Sequence, residues 1–462
     1  MLFKTLINVC RIDELRNKIL FTLAMLMVYR IGFWIPVPGV NQGELTRFFE
    51  MQAATGSAAG KMAQYVAIFS GGSFGQSTIF GLGIMPYITA SIIFQLFGTV
   101  SPALKKLKDE GPSGQTKLME LTRYVTVGLC IVQAVGWLTY ITSSGLVYPQ
   151  WANNPLWWVM GVMSLTAGTI FLMWLGEQID RFGIGNGVSL IIMAGILTGM
   201  PSAVMSVYAN FDAQDPSKMG YMGLILLLAG FVLVVAGSVL LTVAQRRIPI
   251  QQAKHSRGSR EFGGQKSYLP LRVNHGGVMP IIFASSLMIF PSVIFGALQE
   301  RATVANIDSG WYYTIINWLS TNFQTGQFPY LLLFIVMVYF FSYFWITVQF
   351  NPEEMSKQLR DHGSFIPGLR PGPRTAEYLE AVMERITYVG AAFLAVIAVL
   401  PMAVNQGLKV DFIVSQFLGG TGLLIVVSVA LDFLQRVEAS LLMRNYDGFL
   451  GNSGDSGGSS KR

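Results

Sequence analysis

The chain has 462 residues, of which 52% are hydrophobic and only 12% charged, with a formal net charge of +7. A mean hydropathy of +0.49 is far too apolar for a soluble globular protein, so the chain reads as a polytopic membrane protein. Two cysteines, Cys10 and Cys130, exclude a disulfide framework and give no metal-ligand spacing.

From the N-terminus, Met1-Leu2-Phe3-Lys4 lacks a short apolar region with a small-residue cleavage site, so no removable leader is expected. Apolar runs predict ten spanning helices, near 19–37, 77–100, 122–143, 156–176, 185–207, 219–244, 278–298, 328–350, 386–404 and 416–438. Strand-like alternation over ten-residue segments is absent, which excludes a barrel. Arg30, inside the first span, is expected to snorkel or to pair in the interior.

Between the first two spans, the apolar piece from Ala63 to Phe69 is too short to cross a bilayer, and Gly71 and Gly72 cut it off. A broken segment at membrane depth is tolerated only inside protein or along a water-filled cavity. The second span carries Gly83, Pro86, Thr89, Ser91 and Gln95 where a lipid-facing helix would carry leucine. Both features point to a membrane pathway.

Basic residues set the orientation. Lys4 to Lys18, Lys105 to Arg123, Arg181, Arg246 to Arg272, Lys357 to Arg385 and Arg436 to Arg462 occupy one alternating set of segments. The other set holds only Arg47, Lys61, Lys218, Arg301 and Lys409. The positive-inside rule therefore puts both termini and the loops 245–277 and 351–385 in the cytoplasm.

Gly83-Ile84-Met85-Pro86-Tyr87-Ile88-Thr89-Ala90-Ser91 recurs as Gly277-Val278-Met279-Pro280-Ile281-Ile282-Phe283-Ala284-Ser285. The two copies lie in corresponding spans of two five-span halves. Five is odd, so the halves are expected to be inverted in the membrane, with a pathway at their interface. The expected division is an N-terminal half 1–210, a hinge loop 211–218, a C-terminal half 219–444 and a flexible tail 445–462.

The two long cytoplasmic loops hold basic residues among prolines and glycines, as in Arg246-Arg247-Ile248-Pro249 and Ile366-Pro367-Gly368-Leu369-Arg370-Pro371-Gly372. Attraction to anionic lipid accounts for the charge. It does not account for the stiff turns, which favour a docking surface for RNA phosphates or a protein partner. Gly183-Ile184-Gly185-Asn186-Gly187 has the wrong spacing for a dinucleotide site and reads as a tight helix entry. Asp432 reads as a helix-packing or interface residue. No zinc-protease helix or serine elbow is present, so no enzyme is expected. The spans lack midplane acids, which argues against the alternative of an ion-coupled secondary transporter with inverted repeats. Isoleucines near the breaks suit a ring that closes a pore by dewetting.

These blocks, with Met173-Trp174-Leu175-Gly176-Glu177-Gln178-Ile179, Leu269-Pro270-Leu271-Arg272-Val273-Asn274 and Gly419-Gly420-Thr421, resemble the signatures of the bacterial SecY family. The resemblance runs to Tyr446-Asp447-Gly448-Phe449 and covers nearly the whole chain. It implies the channel subunit of the Sec translocon, an all-α membrane protein of ten helices with a re-entrant plug. By motif position it implies a pore ring of Ile84, Ile88, Val188, Ile192, Ile282 and Ile425. It implies a plug over about 63–75, with Tyr65, Val66, Ile68, Phe69, Gly71 and Gly72. It also implies a lateral gate between the second, third, seventh and eighth spans, with Thr89, Ser91, Gln95, Gln133, Ser285 and Ser286.

The same resemblance implies that Arg246, Arg247, Lys254 and Arg370 dock the ribosome, through rRNA phosphates and ribosomal proteins, or the SecA motor. Further implied partners are SecE, SecG, SecDF, YidC, membrane lipids and substrate polypeptides bearing signal sequences, at the bacterial cytoplasmic (inner) membrane. No cofactor and no metal are implied. Four positions depart from the family pattern: Val188 where isoleucine is common, Gln252 and His255 in Gln252-Ala253-Lys254-His255 where Tyr-Ala-Lys-Arg is common, and Asp180 where threonine or asparagine is usual.

Overall fold

The computed structural model describes residues 12–55, 77–152, 154–211, 220–252, 255–257, 260–262, 266–304, 311–323, 327–408 and 421–451. The helices begin with α1 (Asp13–Gly32), α2 (Gln42–Thr55), α3 (Met85–Val100), α4 (Pro102–Asp109), α5 (Pro112–Ser143) and α6 (Pro149–Ala152). Then come α7 (Pro155–Phe182), α8 (Gly187–Asn210) and α9 (Tyr221–Val243). Strands β1 (Gln245–Gln252), β2 (His255–Arg257), β3 (Arg260–Phe262) and β4 (Lys266–Arg272) precede α10 (Met279–Val304), α11 (Trp311–Asn322), α12 (Phe328–Gln349) and α13 (Pro352–Asp361). The last elements are β5 (Ser364–Phe365), α14 (Pro373–Leu408) and α15 (Thr421–Gly451).

Each of the ten expected spans falls on a helix, namely α1, α3, α5, α7, α8, α9, α10, α12, α14 and α15. Among the described residues, six helical stretches are long and apolar enough to cross a membrane by length and composition. They are Pro112–Ser143, Pro155–Phe182, Gly187–Ala209, Tyr221–Val243, Phe328–Asp361 and Pro373–Leu400. The second expected span starts later than its apolar run, because residues 77–84 are turns and the helix begins only at Met85. Gly81, Gly83 and Pro86 are the cause: two flexible backbones, then a ring preset for a first helical turn.

Packing divides the chain into two compact units, Met1–Ser91 with Gln115–Pro201 and Val429–Arg462, and Ile92–Gly114 with Ser202–Ser428. In the first unit, Val37, Leu82, Cys130, Leu138, Trp157 and Leu165 share one apolar core. The Trp157 indole N–H donates to the Pro38 carbonyl at 2.7 Å, so the loop after α1 is tied to the start of α7. Asn154 caps α7: its side-chain oxygen accepts the Leu156 N–H at 3.0 Å, and Pro155 fills a position that needs no donor. Leu15, Ile184 and Val437 form a smaller cluster that joins α1 and α15 to the entry of α8.

In the second unit, Phe283 of α10 packs edge-on against Phe341 and Trp345 of α12, with ring centroids 5.7 and 5.4 Å apart. The loop expected as stiff turns is instead largely a sheet. β1 pairs antiparallel with β4 along its length, from Gln245↔Arg272 to Gln251↔Lys266, and with the two residues of β5 at its far end. Ile248 and Leu271 on its inner face join Ile366, Leu379, Val382, Met383 and Ile386 in one core. The sheet is thereby fastened to the first turns of α14.

Candidate functional site

The two copies of the repeat fold the same way. Gly83 takes a left-handed backbone with φ of 59°, and Gly277 takes φ of 58°, a region that glycine enters at no steric cost. Two residues later each copy starts a helix, at Met85 and at Met279, with proline as the second helical residue. Asn274 braces the second turn by donating from Nδ2 to the Gly277 carbonyl at 2.7 Å. The fourth helical residue is Ile88 in one copy and Ile282 in the other, and both are buried, as is Ile84.

In the first unit, the approach to this turn is held from several sides. Val37 donates its N–H to the Ser77 carbonyl at 2.9 Å, and Ile79 donates to Ile35 at 3.0 Å. Gly81 then donates to Thr78, and Gly83 to Phe80, each at 2.8 Å. Helix α7 passes so close that a Cβ on Gly168 would lie 2.1 Å from the Ile79 carbonyl oxygen.

Val188 and Ile192, the ring candidates of α8, lie in the same unit; Ile192 is buried and Val188 half-buried. The glycine-rich entry is the tight one expected. Gly185 has φ of +99°, Asn186 accepts the Ser189 N–H at 2.9 Å, and Asp180 accepts the Gly187 N–H at 2.7 Å. Asp180 thus supplies an acceptor, which the family's threonine or asparagine also offers. A Cβ on Gly187 would sit 2.0 Å from the Gly176 carbonyl oxygen, so α7 and α8 meet backbone to backbone. The other ring candidates, Ile282 and Ile425, are buried in the second unit, at 1% and 0% exposure.

Of the gate candidates, Thr89 turns its hydroxyl back to the Met85 carbonyl at 3.0 Å, and Ser286 bonds Ile282 at 2.7 Å. Ser285 bonds the Ile281 carbonyl. Each of these hydroxyls donates to a carbonyl one turn back on its own helix. Ser91, Gln95 and Gln133 are half-buried. The plug candidates Tyr65, Val66, Ile68, Phe69, Gly71 and Gly72, and the docking candidate Lys254, lie outside the described residues.

Arg246 and Arg247 are exposed at the start of β1, where they oppose Leu271 and Pro270. Arg370 is exposed on a turn held by Gly368 and Gly372, both at positive φ, and by the Thr375 hydroxyl, which donates to its carbonyl at 2.9 Å. These arginines therefore stand on folded scaffolds. Arg30 is exposed at the end of α1, with its guanidinium 5.2 Å from the Phe33 ring centroid, so it is not an interior pair. Asp432 pairs with Arg436 at 2.8 Å, one turn along α15.

Two further contacts here join residues far apart in sequence. Arg123 of α5 grips Glu177 of α7 through two hydrogen bonds, and Trp137 of α5 donates to Ser77 at 3.1 Å. Glu177 stands in the Met173–Ile179 block, but its partner is 54 residues away in sequence and has no signal of its own.

The SecY family model matches residues 78–434. The chain belongs to the SecY family. It is 42% identical to the protein translocase subunit SecY of Chlamydia trachomatis, over 96% of this chain and 98% of that protein. With the SecY of Escherichia coli it shares 39% identity over 95% of this chain and 94% of that protein. Among solved structures it is similar to a protein-conducting channel, with a TM-score of 0.55 and 19% identity over 92% of each chain. Sec61 from a canine ribosome–channel complex of the endoplasmic reticulum gives a TM-score of 0.53 at 18% identity over 92% of each chain. The fold is therefore the mostly helical, ten-helix polytopic fold of SecY and Sec61.

Proposed function

We propose that this chain is the pore-forming subunit of a bacterial Sec translocon. It passes unfolded secretory polypeptides across the cytoplasmic membrane and releases apolar segments sideways into lipid. Within a SecY-family chain, the observation that carries this reading is the repeated turn and helix, which presents a buried isoleucine at the same position in each unit.

Ile84, Ile88, Val188, Ile192, Ile282 and Ile425 form the constriction in this reading. Branched apolar side chains exclude water when nothing passes, yet give way to an extended chain because they make no directional bonds. The segment around 63–75 plugs the channel from outside. The two five-helix halves, 1–210 and 219–444, open along the helices that carry Thr89, Ser91, Gln95, Gln133, Ser285 and Ser286. A sufficiently apolar segment leaves through that opening because hydrocarbon solvates it better than the aqueous pore.

Both termini are cytoplasmic, as the distribution of lysine and arginine favours. Arg246, Arg247, Lys254 and Arg370 then face the ribosome or the SecA motor, and SecE and SecG complete the channel, with SecDF and YidC as further partners. The chain catalyses no reaction; partners supply the energy.

The test is a photoreactive residue at position 88 or 282, with a secretory chain arrested midway. Adducts at both positions, lost when the signal sequence is defective, are the expected result. Adducts at neither position, in folded and partner-bound protein, would favour a small-solute transporter instead.

A further inference from the structure

Ser77 is the one non-glycine residue with a positive φ among the described residues, at 43°. L-residues other than asparagine and aspartate rarely adopt this backbone, and where they do, the surroundings hold them there. Here the surroundings are fully closed, with Ser77 at 0% exposure. Val37 holds its carbonyl, and the Trp137 indole N–H holds its hydroxyl oxygen at 3.1 Å. Trp137 is itself buried and stacks on Tyr140, with centroids 5.7 Å apart.

We infer that Ser77 and Trp137 are positioning residues that set where Ile84 and Ile88 stand and link that position to α5. This rests on the channel reading above. The path from Ser77 to Ile84 has little slack: two successive tight turns, at Gly81 and Gly83, follow the bridge to residues 35–37. The close pass of α7 at Gly168 leaves the Ile79 backbone no room to shift towards that helix. A change of backbone at Ser77 is therefore carried into the start of α3.

At the other end, Trp137 lies four residues after Gln133, so both project from one face of α5. A displacement of α5 draws the indole away from the Ser77 hydroxyl. The hydrogen bond is thus a direct link between a gate helix and two constriction isoleucines of the same unit. A buried indole satisfied by the nearest acceptor would need neither the left-handed backbone nor this chain path.

The test uses the full chain with its partner subunits and compares export of a reporter bearing a normal signal with one bearing a defective signal. Ser77→Gly keeps the left-handed backbone without strain and removes the hydroxyl together with its Cβ. Trp137→Phe keeps an aromatic ring in the core but removes the donor and part of the indole. Each is expected to raise export of the defective-signal reporter at least about threefold, as suits loss of one buried hydrogen bond. The double variant is expected to do no more than either single one. Ser77→Asn tolerates the left-handed backbone and restores an acceptor, and is expected to return discrimination towards wild type.

Unchanged discrimination in Ser77→Gly and Trp137→Phe, at normal protein levels, would overturn the inference. So would additive effects in the double variant, or an Asn variant as leaky as the Gly variant. If the unmodified chain fails to export even the normal-signal reporter, the channel reading falls instead.

Discussion

Arg123 and Glu177 form a two-pronged ion pair, with Nε to Oε1 at 3.0 Å and Nη2 to Oε2 at 2.7 Å. It joins α5 to α7 within the first unit, near the ends that carry the basic flanks. Parallel prongs fix the angle between the helices as well as their spacing.

Both side chains are partly exposed, at 45% and 32%, so the pair is screened and its worth is modest. Arg123→Gln or Glu177→Gln is expected to destabilise the detergent-solubilised protein by about 0.5–1 kcal/mol. Thermal unfolding at low and high salt checks this, since the loss should shrink as salt rises. The exchanged pair, Arg123→Glu with Glu177→Arg, should recover part of it.

Gly187→Ala places a methyl carbon 2.0 Å from the Gly176 carbonyl oxygen, where neither backbone can yield without parting α7 from α8. The expected cost is about 1–3 kcal/mol or more. Gly136→Ala in α5 is the control, because nothing lies within 4 Å of its added carbon. Folded yield after membrane extraction should fall for the first and hold for the second.

Asp180→Asn keeps an oxygen acceptor for the Gly187 N–H, whereas Asp180→Ala removes it. The alanine variant is expected to lose about 1 kcal/mol of the stability of this helix entry, and the asparagine variant little. Amide exchange at Gly187 and Val188 distinguishes the two.

The spanning helices were legible in the sequence because a bilayer demands long apolar runs, and the repeat was legible because glycine and proline mark its turn. The tie between Arg123 and Glu177 was not, since a pair 54 residues apart leaves no local pattern. The sheet left a weak trace. Ile248 and Ile250 in β1, and Leu269 and Leu271 in β4, alternate with exposed residues as a half-buried strand does, but only over a few residues among prolines that also read as turns. Ser77 left none, because a serine in sequence does not announce a left-handed backbone.

Ile248→Ala is expected to cost about 2–5 kcal/mol, because Ile248 sits in the core that holds the sheet to α14. Limited proteolysis should then cut within residues 245–272 far faster. Arg370→Glu, on an exposed turn, should leave that protection intact. On the channel reading, it should also weaken motor-driven export, and full export would remove Arg370 from the docking role.

Pro270 lies in β4, the outer strand of the sheet, opposite Arg247. A proline there offers no N–H, and the opposite edge, β5, is only two residues long. Any extended polypeptide, with its backbone groups unpaired, could zip onto an open strand edge and stay. Pro270 breaks that edge within its seven residues. A protein that handles unfolded chains thus keeps its own sheet from becoming a place where they stick.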